Sequence, residues 1–265
     1  MCISAAVGED APNASADVKV VQVLLNLCSD LGPGPMLDVD GRIGSRNSET
    51  VRRIRMFQEK AIGPGRADGR VDPLPRGSLA TLRARMTPAF TEMKLRGIMA
   101  QGRASDVARY YLPLMSAMHT HAITTPLRQA HFLGQLGHES GDFRYTEELA
   151  SGDAYEGRTD LGNTEPGDGR RFKGRGLIQL TGRRNYTDFG RVIGKDLLTG
   201  DNPTLVASDP ILAVEAAAWY WTKHDLNRLA DADDVVAITR VINGGRNGLD
   251  DRQRRLARAK FFLVR

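Results

Sequence analysis

The chain has 265 residues, which is enough for one large or two modest domains with separate hydrophobic cores. Its net charge of +5 and pI of about 9.4 come from arginines interleaved with acidic residues, without a zinc-finger or RNA-binding pattern, so we expect no nucleic-acid partner. Two cysteines exclude a disulfide framework, and no run reaches the roughly 18 apolar residues of a membrane span, which excludes stable membrane association.

The N-terminal segment, residues 1–13, has neither the basic start nor the continuous apolar run of a secretory signal. We expect it to form a flexible tail, and we expect the chain to be made in the cytoplasm without a signal peptide. If the substrate lies outside the cytoplasm, another agent must release the protein.

Residues 14–86 have the pattern of a small three-helix domain. Helices are predicted over residues 17–27, 47–60 and 76–85. Asp17 is the expected N-cap of the first helix, and Asn47 or Ser48 caps the second. Two cognate turns, LDVDGRIG (37–44) and ADGRVDP (67–73), separate the helices. A linker over 87–94, containing Pro88, is expected to end the domain.

Residues 95–265 are predicted to form a larger, mostly helical domain. The expected helices cover residues 104–119, 126–140, 210–222, 233–242 and 250–263. Residues 150–176 are rich in Gly, Asp and Arg and predict an ordered loop beside a cleft. LIQLT (177–181) predicts a short strand whose alternation places Leu177, Gln179 and Thr181 on one face. The expected fold is therefore mainly α, with a short strand beside the cleft.

The helix over 126–140 carries the most informative side chains. His131, Gln135, His138 and Glu139 form a polar stripe on an otherwise apolar helix, which predicts that this face lines a cleft. Gly141 suits the left-handed position that ends a helix. Glu139 then lies at the negative end of the helix dipole, and both the dipole and partial burial disfavour its charged form. Such a carboxylic acid can protonate a glycosidic oxygen.

The second carboxylate that glycoside hydrolysis requires is expected a few residues later. Glu147 and Glu148 lie in a polar segment where a carboxylate can stay ionised and hydrated, and either could activate water. A zinc site is not expected, because the position four residues after His138 is Asp142, whereas the zincin motif requires histidine. His138 is instead interpreted as a hydrogen-bonding support of the cleft.

Other polar side chains are less specific. Gln179 and Thr181 could hold a sugar acetamido group and position the attacking water. Trp219 and Trp221 are interpreted as core residues. The turn that begins at Asn243 is either a helix connector or a substrate contact, and the sequence leaves both interpretations open.

Three segments together resemble glycoside hydrolase family 19, and in particular the chitinase-like lysozymes that phages use as endolysins. They are HES (138–140), FKGRGLIQLTGRRNY (172–186) and INGGRNG (242–248). The N-terminal segments DVKVVQVLLN, VDGRIG and ETVRRIRMFQ resemble the peptidoglycan-binding type 1 domain. The resemblance thus implies a binding domain over 14–86 and a catalytic domain over 95–265. The catalytic domain is expected to be lysozyme-like, with a short β-hairpin beside the cleft.

The resemblance also implies residue roles. Glu139 corresponds to the general acid, Glu148 to the second carboxylate and Thr181 to a hydroxyl that holds the attacking water. The implied substrate contacts are His138, Gln179, Asn185, Tyr186 and Asn243. The family inverts the anomeric centre, so the carboxylates are expected roughly 6.5–9.5 Å apart. A C-terminal arginine of the cleft could be Arg252 or Arg255. The resemblance implies neither a cofactor nor a metal.

The expected function is that of an endolysin. It would act as a monomer that binds peptidoglycan and cleaves the β-1,4 bond between N-acetylmuramic acid and N-acetylglucosamine, in the periplasm after release from the host cytoplasm. The alternatives are a chitinase that acts on poly-N-acetylglucosamine and a non-catalytic wall-binding virion protein.

Overall fold

The computed structural model describes residues 2–31, 35–44, 48–74 and 77–264. Within these residues the chain forms thirteen α-helices and one two-stranded sheet, which confirms the mainly α prediction. It divides into two compact units, one of residues 1–101 with 256–265 and one of residues 102–255. No helix in the described ranges is long and apolar enough to cross a membrane.

The first unit contains four helices and the small sheet. The helices are α1 (Ser15–Leu27), α2 (Glu49–Ala61), α3 (Ser78–Ala84) and α4 (Glu92–Ile98). Strands β1 (Val7–Gly8) and β2 (Arg70–Val71) are antiparallel. The unit extends past the predicted linker because α4 packs on α1 and because the ring of Phe262 covers Gly97, where a Cβ atom would lie 2.4 Å from the ring.

The expected flexible tail is instead packed into this unit. Ile3 and Val7 are buried, and so is the thiol of Cys2. Asp17 is not an N-cap, because it lies inside α1 and its buried carboxylate accepts hydrogen bonds from the backbone N–H groups of Ser4 and Ala5 at 3.1 and 2.9 Å. A carboxylate that is buried needs such donors, and the N-terminal segment supplies them.

The two cognate turns are held by two equivalent buried glutamines. Gln22 accepts from the backbone of Gly41 at 2.9 Å and donates to Asp40 at 2.9 Å. Gln58 does the same with Gly69 at 2.9 Å and with Asp68 at 2.6 Å. The first unit is therefore built on a repeated helix-and-turn arrangement.

The cap of the second helix is also settled. The hydroxyl of Ser48 accepts from the backbone N–H of Val51 at 3.3 Å, so Ser48 is the N-cap of α2. The alternative cap, Asn47, lies outside the described residues.

The second unit consists of helices around a buried aromatic core. They are α5 (Ala104–Thr120), α6 (Pro126–Glu139), α7 (Asp168–Arg171), α8 (Arg183–Ile193), α9 (Leu205–Ser208), α10 (Pro210–Lys223), α11 (Leu226–Asp231), α12 (Val235–Asn243) and the start of α13 (Leu249–Leu263). Trp221 packs edge-to-face on Phe132, with ring centroids 5.3 Å apart, and Trp219 packs on Phe189. Both tryptophans are therefore core residues, as the sequence predicted.

The ends of α6 match the local sequence signals. The hydroxyl of Thr125 accepts from the backbone of Arg128 at 3.2 Å and caps the helix, and Ser140 ends it. Gly141 has φ +57°, and the next two residues, Asp142 and Phe143, also have positive φ. These two side chains are buried, and their anchoring holds a backbone conformation that is costly for residues other than glycine.

The predicted strand over 177–181 is wrong. Arg175 and Leu180 exchange two backbone hydrogen bonds, of 3.1 and 2.7 Å, and the residues between them form a tight turn. Leu177 and Ile178 are both buried, so side chains do not alternate between two faces. Positive φ at Gly176 and Gln179 reverses the chain within this short distance. Isolated bridges, including one between Glu147 and Arg175, stand where the hairpin was expected.

Candidate active site

Glu139 lies at the end of α6, and its side chain is 16% exposed. Its carboxylate forms an ion pair with Arg252, whose side chain is fully buried. The same guanidinium donates to the side-chain oxygen of Gln135. Arg252 is thus the arginine at this carboxylate, whereas Arg255 bonds to Asp142 and Asp251.

The ion pair changes the electrostatic argument for Glu139. The helix dipole and burial both disfavour a negative charge at this position, but the guanidinium of Arg252 favours it. Burial raises the pKa of Tyr220, and the negative charge of Glu139 raises it further. Glu139 therefore experiences opposing influences, because the helix dipole and burial disfavour its charge whereas Arg252 favours it.

The polar stripe of α6 does not line a cleft along its whole length. His131 and Gln135 are each 1% exposed. The Nε2 atom of His131 lies 2.6 Å from a carboxylate oxygen of Asp233, and Gln135 is held by Arg252. Only the last two members, His138 and Glu139, are partly exposed. The prediction of a cleft-lining stripe is therefore wrong for the first two residues, because both side chains are buried, His131 against Asp233 and Gln135 against Arg252.

His138 makes a supporting hydrogen bond, as the sequence predicted. Its Nδ1 atom lies 2.8 Å from Oδ2 of Asp251, which also accepts from Nε of Arg255 at 2.6 Å. Burial opposes the charge of Asp251, but the hydrogen bonds from Arg255 and His138 lower the pKa of Asp251 to about 2. The backbone of Gly248 lies directly against the imidazole ring. A contact of His138 with substrate stays a prediction.

The two adjacent glutamates occupy different environments. Glu147 pairs with Arg175 at 3.0 Å and with Lys173 at 3.4 Å. The carboxylate of Glu148 accepts from the hydroxyl of Tyr155 at 3.0 Å and from the backbone N–H of Gly174 at 3.2 Å. Both of these donors are neutral. Glu148 is thus better placed to accept a proton than Glu147, whose charge is already balanced by cations.

Gly174 brings Glu148 close to Gln179. A Cβ atom at this glycine would lie 2.9 Å from the amide oxygen of Gln179 and 3.3 Å from Oε2 of Glu148. Gln179 itself has φ +57°, and such strain in a residue other than glycine is concentrated at functional sites. The hydroxyl of Thr181 donates to the carbonyl of Gln179 at 2.8 Å. Three of the predicted site residues therefore lie together.

Asn185 extends this group onto α8. Its side-chain N–H donates to the carbonyl of Thr181 at 2.9 Å, and its oxygen accepts from Lys223 at 3.3 Å. Asn185 is half-buried and lies beside the turn that carries Gln179.

Tyr186 cannot serve as the substrate contact that the resemblance implied. Its side chain is fully buried and packs on Phe172, and its hydroxyl donates to the carbonyl of Lys173 at 3.0 Å. Burial raises the pKa of Tyr186 to about 12. Its role is to support the segment that places Gly174 beside Glu148. Because Tyr186 follows Asn185 directly on α8, adjacent residues face different sides of the helix.

Asn243 ends α12, and Gly244 follows it in the left-handed conformation, with φ +74°. The side chain of Asn243 is exposed. The turn is thus a helix connector, and a substrate contact at Asn243 stays a prediction. Among the described residues, no group of three or more His, Cys, Asp or Glu side chains could hold a metal ion.

Sequence reasoning missed several residues that shape this site. Tyr155 was not among the predicted site residues, yet its hydroxyl contacts Glu148. Asn163 and Asp168 are buried within that loop. Their signal lies in the composition of LGNTEPGDGRR, where polar residues lie among turn-forming glycines without any helical or strand periodicity.

Comparison with known proteins places these residues within one family. The family model described as chitinase class I matches residues 122–250. A glycosyl hydrolase family 19 domain-containing protein of Haemophilus influenzae is 33% identical over 173 residues, covering 54% of this chain and 83% of the relative. The chain belongs to glycoside hydrolase family 19. The family match includes Glu139, Glu148, Gln179 and Thr181 and lies within the second unit.

Chitinases are among the other similar proteins. An endochitinase of Arabidopsis thaliana is 33% identical over 174 residues, covering 64% of this chain and 58% of the relative. The structure of chitinase C from Streptomyces griseus has a TM-score of 0.53 at 24% identity, covering 65% of this chain and 91% of that protein. A class IV family 19 chitinase from Zea mays gives 0.52 at 25% identity, with coverages of 65% and 90%.

Proposed function

We propose that this family 19 glycosidase is an endolysin that cleaves the β-1,4 bond between N-acetylmuramic acid and N-acetylglucosamine in peptidoglycan. The observation that carries the proposal is the contrast between two partly buried carboxylates, Glu139 beside a buried arginine and Glu148 beside neutral donors. Inverting hydrolysis requires two carboxyl groups with opposite proton tasks.

In this proposal, Glu139 donates its proton to the glycosidic oxygen as the bond to the anomeric carbon breaks. Glu148 accepts a proton from a water molecule, whose oxygen attacks the anomeric carbon from the opposite face. The product sugar therefore has inverted configuration. Donation leaves Glu139 negatively charged, and the guanidinium of Arg252 stabilises that charge in the product state. Exchange of protons with solvent then returns Glu139 to its protonated form and Glu148 to its ionised form.

Gln179 and Thr181 supply the groups that position the substrate and the water. Gln179 is half-buried and lies against the glycine that also contacts Glu148. Its amide can bond to an N-acetyl group, which both sugars of peptidoglycan carry. The hydroxyl of Thr181 already donates to the backbone of Gln179, so its oxygen can accept a hydrogen bond from the attacking water.

The first unit is proposed to bind the cell wall. A cavity of about 450 Å³ opens beside the first of its two equivalent turns, with Met36, Asp38 and Arg42 in its lining. The mixture of apolar and charged side chains suits a glycan that carries peptides with both kinds of group. Binding at this unit would hold the enzyme on an insoluble substrate and raise the local concentration of cleavable bonds.

The proposed partner is thus the bacterial cell wall, and the proposed place of action is the periplasm after release from the cytoplasm. The protein is proposed to act as a monomer.

A chitinase is the second candidate, because the similar proteins include endochitinases of plants. Both substrates are β-1,4-linked polymers that contain N-acetylglucosamine, and the same acid and base can cleave either. Only peptidoglycan carries lactyl-peptide branches.

Side-by-side digestion tests the proposal. Isolated sacculi and chitin hexamers are incubated with equal amounts of enzyme, and the products are analysed by mass spectrometry after borohydride reduction. We expect rapid release of muropeptides in which the N-acetylmuramic acid is reduced, and slow or no cleavage of the hexamer. Efficient cleavage of the hexamer without release from sacculi would identify a chitinase. Failure on both substrates would contradict glycosidase function.

A further inference from the structure

We infer that Tyr155 is a positioning residue that sets the orientation of the Glu148 carboxylate. Hydrogen bonds and an ion pair hold the loop over residues 152–169, which carries Tyr155, in a fixed conformation. The inference rests on the proposed role of Glu148 as the group that activates water.

The contact itself is specific. The hydroxyl of Tyr155 donates to Oε1 of Glu148 at 3.0 Å, while the backbone N–H of Gly174 donates to Oε2 at 3.2 Å. Each carboxylate oxygen therefore has one fixed donor, and together they define the plane of the carboxylate. Each oxygen keeps a second lone-pair direction, which can accept a proton from water.

The loop that carries Tyr155 is tied to α8 through a buried asparagine. The backbone carbonyl of Tyr155 accepts from the side chain of Asn163 at 2.8 Å. The side-chain oxygen of Asn163 accepts from the backbone N–H of Arg183, the first residue of α8, at 2.8 Å. Asn163 is fully buried. A continuous chain of hydrogen bonds thus connects the start of α8 with the carboxylate of Glu148.

A second connection is ionic. The carboxylate of Asp168 is 1% exposed and accepts from the guanidinium of Arg183 at 2.7 and 2.5 Å. It also accepts from the backbone N–H groups of Thr164 and Glu165 at 3.1 and 3.0 Å. Burial opposes the charge, but these donors lower the pKa of Asp168. The C-terminal end of the loop is therefore fixed to the same helix that anchors Asn163.

The loop is also closed on itself. The carboxylate of Glu156 accepts from the backbone N–H groups of Gly167 and Gly169 at 2.7 and 2.8 Å. A Cβ atom at Gly169 would lie 2.6 Å from the backbone nitrogen of Glu156, so only glycine permits this approach. Glu156 follows Tyr155 directly, and this closure fixes the backbone that positions the phenol.

The phenol is a reliable donor. Burial raises the pKa of Tyr155, and so does its hydrogen bond to Glu148, so the hydroxyl stays protonated across the working pH range. A neutral donor of this kind stabilises the ionised carboxylate without the full charge of an arginine or lysine. Loss of the hydroxyl should consequently remove one of the two fixed donors that stabilise the ionised carboxylate of Glu148.

The test compares Tyr155→Phe with Glu148→Gln, with the double variant and with Arg170→Ala. Arg170 is a matched control, because it forms an exposed ion pair with Asp153 in the same loop and lies outside the proposed machinery. Rates of sacculus hydrolysis are measured from pH 4 to 9, together with the thermal unfolding midpoint of each variant.

We expect Tyr155→Phe to lower kcat about tenfold with little change in KM and to move the acid limb of the pH profile to higher pH. Arg170→Ala should match the wild type in rate and profile. The double variant should be no slower than Glu148→Gln alone, because both changes act on one group.

The outcomes separate the inference from the function. An inactive Glu148→Gln with a wild-type pH profile in Tyr155→Phe would overturn the role of Tyr155 and leave the proposed function intact. If Tyr155→Phe lowered the rate of hydrolysis by the same factor at every pH and also lowered the unfolding midpoint, the inference would be overturned, because the tyrosine would then have a purely structural role. A fully active Glu148→Gln would overturn the proposed role of Glu148 and the inference together.

Discussion

The buried guanidinium of Arg252 bonds to both Glu139 and Gln135, which are one turn apart on α6. It therefore fixes the end of the helix that presents the proposed acid and favours the charged form of that acid. The proton that Glu139 is proposed to donate must be held against this influence.

Replacement of Arg252 by lysine should show this influence. Lysine keeps the charge but cannot bond to two partners in a fixed plane, so we expect kcat to fall about tenfold to a hundredfold with a small change in stability. Arg252→Gln removes the charge that pairs with the carboxylate of Glu139, so we expect the alkaline limb of the activity profile to move to higher pH. Arg191→Lys, at an exposed position of α8, is the control. An unchanged alkaline limb in Arg252→Gln would show that the arginine does not act on the acid.

The strained backbone of Gln179 gives a prediction on stability. Gln179→Gly and Gln179→Ala both remove the amide, so both should reduce the rate of hydrolysis by a similar factor. Glycine tolerates φ +57° whereas alanine does not, so the glycine variant should be more stable than the alanine variant by about 1 kcal/mol. Urea unfolding measures the difference. Equal stability of the two variants would mean that the turn relaxes.

Asp251 gives a prediction on pH dependence. Despite burial, hydrogen bonds from Arg255 and His138 lower its pKa to about 2. The folded value lies below the unfolded value of about 3.9, so the stabilisation is fully present above about pH 4 and is lost as the pH falls toward 2. The side chain of Asp251 is 31% exposed. Solvent screening therefore reduces its expected contribution to the free energy of unfolding to about 1 kcal/mol.

Asp251→Asn should therefore have a lower free energy of unfolding than the wild type at pH 7. The difference in free energy between the two proteins should narrow as the pH falls from 4 to 2. Asp250→Asn, an exposed neighbour on α13, should show no such trend. A constant difference across this range would mean that the lost hydrogen-bond geometry, and not the charge, is responsible.

Replacement of Asp168 tests whether this residue holds the loop over 152–169 in place, without a measurement of catalysis. Asp168→Asn keeps the shape of the side chain but removes the charge that pairs with Arg183. We expect the free energy of unfolding to fall by about 2 kcal/mol. The loop amides of residues 152–169 should then exchange hydrogen faster, while those of α5 stay protected. Asp160→Asn, in an exposed ion pair of the same loop, is the control. Unchanged exchange in Asp168→Asn would show that other contacts hold the loop.

Local signals predicted eight of the thirteen helices in the described residues and missed α4, α7, α8, α9 and α11. Thr125, Pro126 and Gly141 mark the ends of α6, because caps and left-handed positions depend on neighbouring residues only. The tight turn at 176–179 was missed, because LIQLT has strand composition and its reversal depends on Gln179 in a conformation that side chains rarely adopt. Propensity cannot reveal such a residue, since its partners hold it there.

The site was predictable in its residues but not in its partners. Glu139 and Glu148 could be selected from sequence, yet the choice of Arg252 over Arg255 depends on which side of α13 faces α6. Tyr186 was misassigned for the same reason, because neighbouring positions on a helix face different environments. Contacts between residues more than a hundred positions apart carry no signal in a single sequence.

Glu139 is proposed to donate the proton that allows the glycosidic bond to break. The most direct test measures the release of reducing sugar from sacculi by Glu139→Gln, together with its sedimentation with the same sacculi, and uses exposed Glu165→Gln as control. We expect a loss of activity of about a thousandfold, with binding to sacculi unchanged and the control fully active. Release at the wild-type rate by Glu139→Gln would contradict the account.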